Sequence, residues 1–246
     1  MYGYIEWTKE MRYPVITERE IHHLRFLCVM IPQRRGVPQF VQHRLASYAA
    51  GLLHKEGVIR AVFPKDFPWI DVFAKHHIYP SDPMILCRAL AAELVQARLD
   101  ARGQTGRGVS VAVCTHRITE EVRRTVTELC IRNRYVMLAA PERDDAFCRR
   151  LRREYGIPLV QTENPEQLAK AAVMVRFSPG AEYTKDQDVL DLFLGGMPLR
   201  ETLCLSEEIE ERLPVSCDRM QLLAVLYGAG AIRLSQIRIR YDREQK

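Results

Sequence analysis

Six consecutive residues, Cys114-Thr115-His116-Arg117-Ile118-Thr119, bring a thiol, two hydroxyls, an imidazole and a guanidinium together. Arginine and hydroxyl groups can hold one phosphate or carboxylate through charge-assisted hydrogen bonds, and a helix starting here adds free N–H groups. Thr115, His116, Arg117 and Thr119 therefore form a candidate anion-binding set. Cys114 is a candidate nucleophile, because a thiol facing a helix N-terminus with a histidine nearby has its pKa lowered. The other reading of Cys114 is a buried cysteine at a strand end. The C-x5-R spacing of phosphatase-type loops is absent, since the residue six after Cys114 is Glu120. The turn contains no glycine to let backbone approach a pyrophosphate, and Glu120 and Glu121 would repel one. No cofactor is expected. Glu142 stands where a ribose-binding acid would be sought, but without the glycines it reads as a solvated residue of the next helix.

A second collection of chemistry-bearing side chains is Lys65, Asp66, Asp71, Lys75, His76, His77, Tyr79 and Asp82. Adjacent histidines diverge on either a helix or a strand, so His76 and His77 do not chelate one metal together. With no H-E-x-x-H and no Cys/His zinc spacing, no metal site is expected. His76 or His77 could serve as an acid or base. The competing reading is a proline-rigid connector whose Trp69 and Phe73 plug the core. A third collection is Arg123, Arg124, Arg132, Arg134, Arg143, Arg149, Arg150, Arg152 and Arg153. Such charge could neutralise phosphates of a nucleic acid. Yet Glu128, Asp144, Asp145 and Glu154 are interleaved, and no nucleic-acid-binding motif is readable.

The elements that must position these groups follow from hydrophobic period and punctuation. Thr17 with Glu20 is a capping-box pattern, and Ile21, Leu24, Leu27 and Cys28 keep helical spacing, which predicts a helix over 18–30 carrying His22 and His23 half-exposed. Val37 to Leu53 predicts a long amphipathic helix. A short strand is expected in 57–63. Ser81 and Pro83 predict a capped helix running to Gly103, followed by the linker 102–108. From Val109 the period changes: strands 109–113, 135–140, 157–161 and 173–177 alternate with helices 119–130, 144–155 and 164–172. Alternation of this kind implies parallel pairing through right-handed crossovers. Beyond Gly180 a helix over 186–196, an acidic stretch, a helix over 218–230 and a closing strand are expected. The stretch 108–177 resembles the Rossmann-like α/β fold. The expected organisation is a mainly helical N-terminal region, 1–105, and a Rossmann-like domain, 106–246, with a small α+β extension.

Composition narrows the function classes. The 246 residues are 47% hydrophobic and 27% charged, enough for a full core, and a net charge of +5 is too mild to imply nucleic acid by itself. Seven cysteines without a C-x-x-C pair fit small buried hydrophobes in a reduced compartment. The first residues carry no basic-then-apolar leader pattern, so a cytoplasmic location is expected. Three functions compete. The first is a non-catalytic binding or regulatory module lacking the dinucleotide fingerprint, with a small anionic ligand or a protein as partner. The second is an enzyme acting on a small anionic metabolite at 114–119. The third is nucleic-acid binding through the Arg-rich helices. No membrane partner is expected.

Overall fold

The computed structural model describes residues 1–33, 36–104, 108–180, 187–197 and 199–241. The chain divides into two units, and each is assembled from two separated stretches. The first joins Met1–Leu86 to Leu205–Ile237, and the second joins Cys87–Cys204 to the stretch beginning at Arg238. The expected boundary at 105/106 is not where the chain divides.

In the first unit, β1 (Tyr2–Thr8), β2 (Val15–Ile21), β3 (Leu24–Pro32), β4 (Arg60–Val62) and β5 (Tyr79–Pro80) form one sheet in the order β2-β3-β1-β4-β5. All neighbours are parallel except the β2–β3 hairpin. The helix α1 (Gln39–Lys55) crosses from β3 to β4, and α2 (Ile70–Lys75) precedes β5. α1 buries Ala46, Ala49, Ala50 and Leu53, small side chains that let it lie close to Ile5, Val29 and Ile31 of the sheet. Each fully buried Leu, Ile or Val of this layer stabilises by about 1.5–3 kcal/mol. The returning stretch supplies α8 (Glu207–Glu210) and α9 (Arg219–Gly228). The Phe63 N–H donates to the Gln221 side chain of α9 at 3.0 Å, and the Asp218 N–H donates to the Phe63 carbonyl at 2.7 Å.

Three expectations need correction here. The N-terminal region is not mainly helical, since it contains this five-stranded sheet. The helix expected over 18–30 is the β2–β3 hairpin. His22 and His23 are its two-residue turn, with φ of +46° and +63°, the positive values a I′ turn requires at both positions. The spacing misled because Phe26 to Val29 is buried on both faces, as an interior strand demands, and such a run carries no period of two. The helix expected from Ser81 to Gly103 is two helices, α3 (Met84–Ala89) and α4 (Ala91–Ala101), and the N–H of Met84 is bonded by Asp82 rather than Ser81. The Ser81 hydroxyl donates instead to the carbonyl of Ala61.

The second unit carries β6 (Ser110–Cys114), α5 (Glu120–Arg132), β7 (Tyr135–Ala139), α6 (Asp145–Tyr155), β8 (Leu159–Gln161), α7 (Pro165–Leu168), β9 (Val173–Arg176) and β10 (Asp188–Asp191). Its parallel sheet has the order β10-β9-β6-β7-β8, a Rossmann-like α/β arrangement as expected. The helix starts read from the sequence are in place. Thr119 accepts from the Val122 N–H, Asp144 from Phe147 and Asn164 from Glu166, while Gly156 ends α6 at φ +69°. The helix expected over 186–196 is a correction: Asp188–Asp191 is a fully buried strand beside β9. Of the expected linker, residues 105–107 lie outside the described residues. A two-stranded antiparallel ribbon of β11 (Glu201–Cys204) and β12 (Arg238–Tyr241) completes the unit. Arg98 of α4, 2% exposed, bonds Glu201 of β11, Asp188 of β10 at 2.9 Å and the Val189 carbonyl at 2.6 Å. Burying a guanidinium is tolerable only with partners of this number.

Candidate functional site

In the second unit, strand order reverses between β6 and β9. From β6 the chain steps outward through β7 to β8, and α7 then returns it to β9 on the other flank of β6. Ligands of open α/β sheets bind outside the carboxyl ends of the strands at such a reversal. A cavity of about 260 Å³ opens there, lined by Cys114 to His116 after β6, Ala139 to Pro141 after β7, Glu163, Pro165 and Leu168 around α7, and Ser178 to Gly180 after β9.

The turn that follows β6 closes on itself. The Thr115 hydroxyl donates to the Arg117 carbonyl at 2.8 Å and accepts the Arg117 N–H at 3.3 Å, and the Thr115 N–H is bonded to Ala139 of β7. The His116 N–H donates to Ser178 Oγ at 2.8 Å, which ties the ends of β6 and β9 together and sets the exposed imidazole in the cavity wall. Arg117 is exposed, and its guanidinium makes no ion pair or hydrogen bond among the described residues. Thr119 caps α5 away from the cavity lining. Of the four residues expected to hold an anion, Thr115 and His116 line the cavity, Arg117 is next to them in sequence but off the wall, and Thr119 is committed to its helix.

The thiol of Cys114 does not meet the requirement for a nucleophile. It is 2% exposed, and burial pushes it up to about 11 although Arg176 pulls the other way. That is the reverse of the lowered pKa expected of a thiol facing a helix N-terminus. Arg176, at the carboxyl end of β9, holds Asp191 of β10 through two bonds of 2.6 and 2.8 Å. Burial alone would raise Asp191, but the bonds from Arg176 and the Met197 N–H outweigh it and hold the carboxyl below its usual range. The sequence reading missed Ser178, Glu163 and this pair. The signal available for Ser178 was its place just past a strand end, the same position that drew attention to Thr115.

His76 and His77 belong to the first unit, apart in the chain from this cavity. His76 Nε2 lies 3.3 Å from Ser47 Oγ, while His77 is exposed at φ +59° with its ring 6.1 Å from that of His54. Among the described residues no group of three His, Cys, Asp or Glu side chains is placed to hold a metal ion. Glu142 is exposed in the loop before α6. In the Arg-rich stretch, Arg123 pairs with Asp144 at 2.9 Å and Arg132 with Glu93 at 2.8 Å. No helix among the described residues is long and apolar enough to cross a membrane.

No family model matches the sequence, and no curated protein does. Solved structures that align with the chain include L-tryptophan dehydrogenase from Nostoc punctiforme (14% identity, 63% of this chain and 45% of that one, TM-score 0.30). A D-isomer specific 2-hydroxyacid dehydrogenase from Lactobacillus delbrueckii ssp. bulgaricus in its NAD complexed form aligns at 10% identity over 62% and 56% of the chains, TM-score 0.31. Ornithine carbamoyltransferase from Pyrococcus furiosus aligns at 15% identity over 72% and 59%, TM-score 0.29. The chain spans about half the length of the dehydrogenases it matches. Likeness at these TM-scores assigns no activity.

Proposed function

We propose that this protein is a Rossmann-like binding module that holds a small anionic ligand, without transforming it, in the cavity at the ends of β6, β7 and β9. The observation that carries the reading is the joining of His116 to Ser178 across the strand-order reversal, with the Arg117 guanidinium, unpaired among the described residues, one residue away. An imidazole, a hydroxyl and a guanidinium suit one carboxylate or phosphate. The burial of the Cys114 thiol, which leaves it little access to a ligand in the cavity, supports binding over covalent chemistry. The turn's lack of glycine and the carboxylates of Glu120 and Glu121 argue against a dinucleotide. An enzyme acting on an anionic metabolite is the second reading, resting on His116 as the imidazole of the wall.

A thermal-shift panel of phosphate, sulfate and phosphorylated metabolites on wild type, Arg117→Ala and His116→Ala tests the site. A ligand bound to the native state raises its melting temperature. Losing one charge-assisted contact, about 1.5–3 kcal/mol, should cost roughly ten- to a hundredfold in affinity. The stabilisation should shrink in both variants while their unliganded melting temperatures stay within about 2 °C, as surface substitutions allow. Equal shifts in all three proteins would eliminate the anion site. Consumption of the stabilising compound on incubation with wild type would replace the binding reading with the enzymatic one.

A further inference from the structure

The first unit has a cavity of its own at the carboxyl edge of its parallel strands. It measures about 600 Å³, and its lining includes Trp7 near the end of β1, Lys65 and Asp66 beyond β4, Trp69, and Gln39 and Gln42 on the first turn of α1. The chain contains two tryptophans in 246 residues, and both are in this wall. Each is half-buried and packed against the sheet–helix core: Trp7 lies 5.1 Å from the Phe67 ring, and Trp69 meets His43 edge-on at 5.4 Å. The indoles are therefore fixed by the core while part of each ring remains available to the cavity. Such rings offer flat apolar area at low conformational cost, the property that makes them good stacking surfaces.

The polar members of the wall are uncommitted. Among the described residues, the side chains of Lys65, Asp66, Gln39 and Gln42 make no hydrogen bond or ion pair. A carboxamide carries both a donor and an acceptor and can read the edge of a heteroaromatic base. A carboxylate only accepts, which suits the hydroxyls of a sugar, and an ammonium suits a phosphate. Asp66 adopts φ +57°, a left-handed conformation that turns the chain at the Lys65–Asp66 corner after β4. A cavity in the range of about 300–1,000 Å³ has room for a ligand of this size.

We propose that this cavity is a second ligand site and that it takes a nucleoside monophosphate, with its base against the indoles, its edge read by Gln39 and Gln42, its sugar hydroxyls by Asp66 and its phosphate by Lys65. The site is independent of the one at the ends of β6, β7 and β9. The chain itself supplies the reporter, because tryptophan emission arises from these two residues alone. Titration of the full chain with adenosine 5′-monophosphate should quench that emission saturably. Adenosine, and adenosine 5′-monophosphate on Lys65→Ala, should each require about tenfold more ligand, the cost of one charge-assisted contact. Inorganic phosphate alone should leave the emission unchanged. His116→Ala should titrate like wild type, so that failure of the other site does not register here. Four results would overturn the proposal: no saturable quenching, equal half-saturation by adenosine and its monophosphate, equal half-saturation by wild type and Lys65→Ala, or loss of the signal in His116→Ala.

Discussion

Cys28 on β3, Cys114 on β6 and Cys130 on α5 are pushed up by burial to about 11, about 11 and about 12. The buried phenol of Tyr4 is raised in the same way. Unfolding exposes the thiols to water, where they ionise near 9. Between roughly pH 9 and 11 the folded state therefore holds protons the unfolded state has released. Stability from this source is full below pH 9 and is lost as pH rises through the folded values. Denaturant midpoints should be level from neutrality to about pH 8.5 and fall steeply by pH 11. Cys130→Ala should be less stable at every pH but show a shallower alkaline fall, and an unchanged slope in that variant would remove the thiols as the cause. The sequence announced the cysteines as buried hydrophobes through their spacing. It could not announce the direction at Cys114, because a residue at a strand end can face either a helix N-terminus or the core, and spacing is the same in both cases.

β10 depends on a few residues that no periodicity reveals. Its last residue, Asp191, faces the guanidinium of Arg176 on β9, and the loop after it folds back so that Met197 donates to the same carboxylate at 2.9 Å. Asp191→Ala should cost about 3–5 kcal/mol, since it takes from a buried cation the carboxylate it faces. Gly196 is part of that fold-back: a Cβ there would lie 2.4 Å from the Cβ of Asp191. Gly196→Ala should therefore lower the melting temperature by several degrees, and urea titration of the two variants checks both expectations. A Gly196→Ala protein as stable as wild type would mean the loop has room to move. The helices α5 and α6 were legible because their apolar stripes and caps are local, and α1 through its stripe alone. β3 was not, because a strand buried on both faces reads as an unbroken apolar run. β10 was not, because its two ends are aspartates that are buried only through Arg98 and Arg176, residues 90 and 15 positions away.

On the scale of the whole molecule, the Rossmann-like α/β class was legible from strand–helix alternation, but the way the chain is shared between units was not. Nothing in the first 105 residues signals that the stretch 205–237 completes their core. A fragment ending at residue 105 lacks α9, whose Gln221 and capping Asp218 bond Phe63 in the intact chain. It should show a broad, weakly cooperative thermal transition by circular dichroism, and a sharp one near the full-length value would refute the need for the returning stretch. The same connectivity governs synthesis. Leu86 leaves the ribosome about 120 residues before Leu205 follows it, which at typical elongation rates is on the order of ten seconds. During that interval the sheet that carries Tyr4, Phe26 and Val62 has no α9 to close it, and β11 in turn waits a shorter time for β12. A nascent chain in this condition exposes the apolar surface that chaperones bind, so the yield of folded protein should depend on the pace of translation as well as on native-state stability.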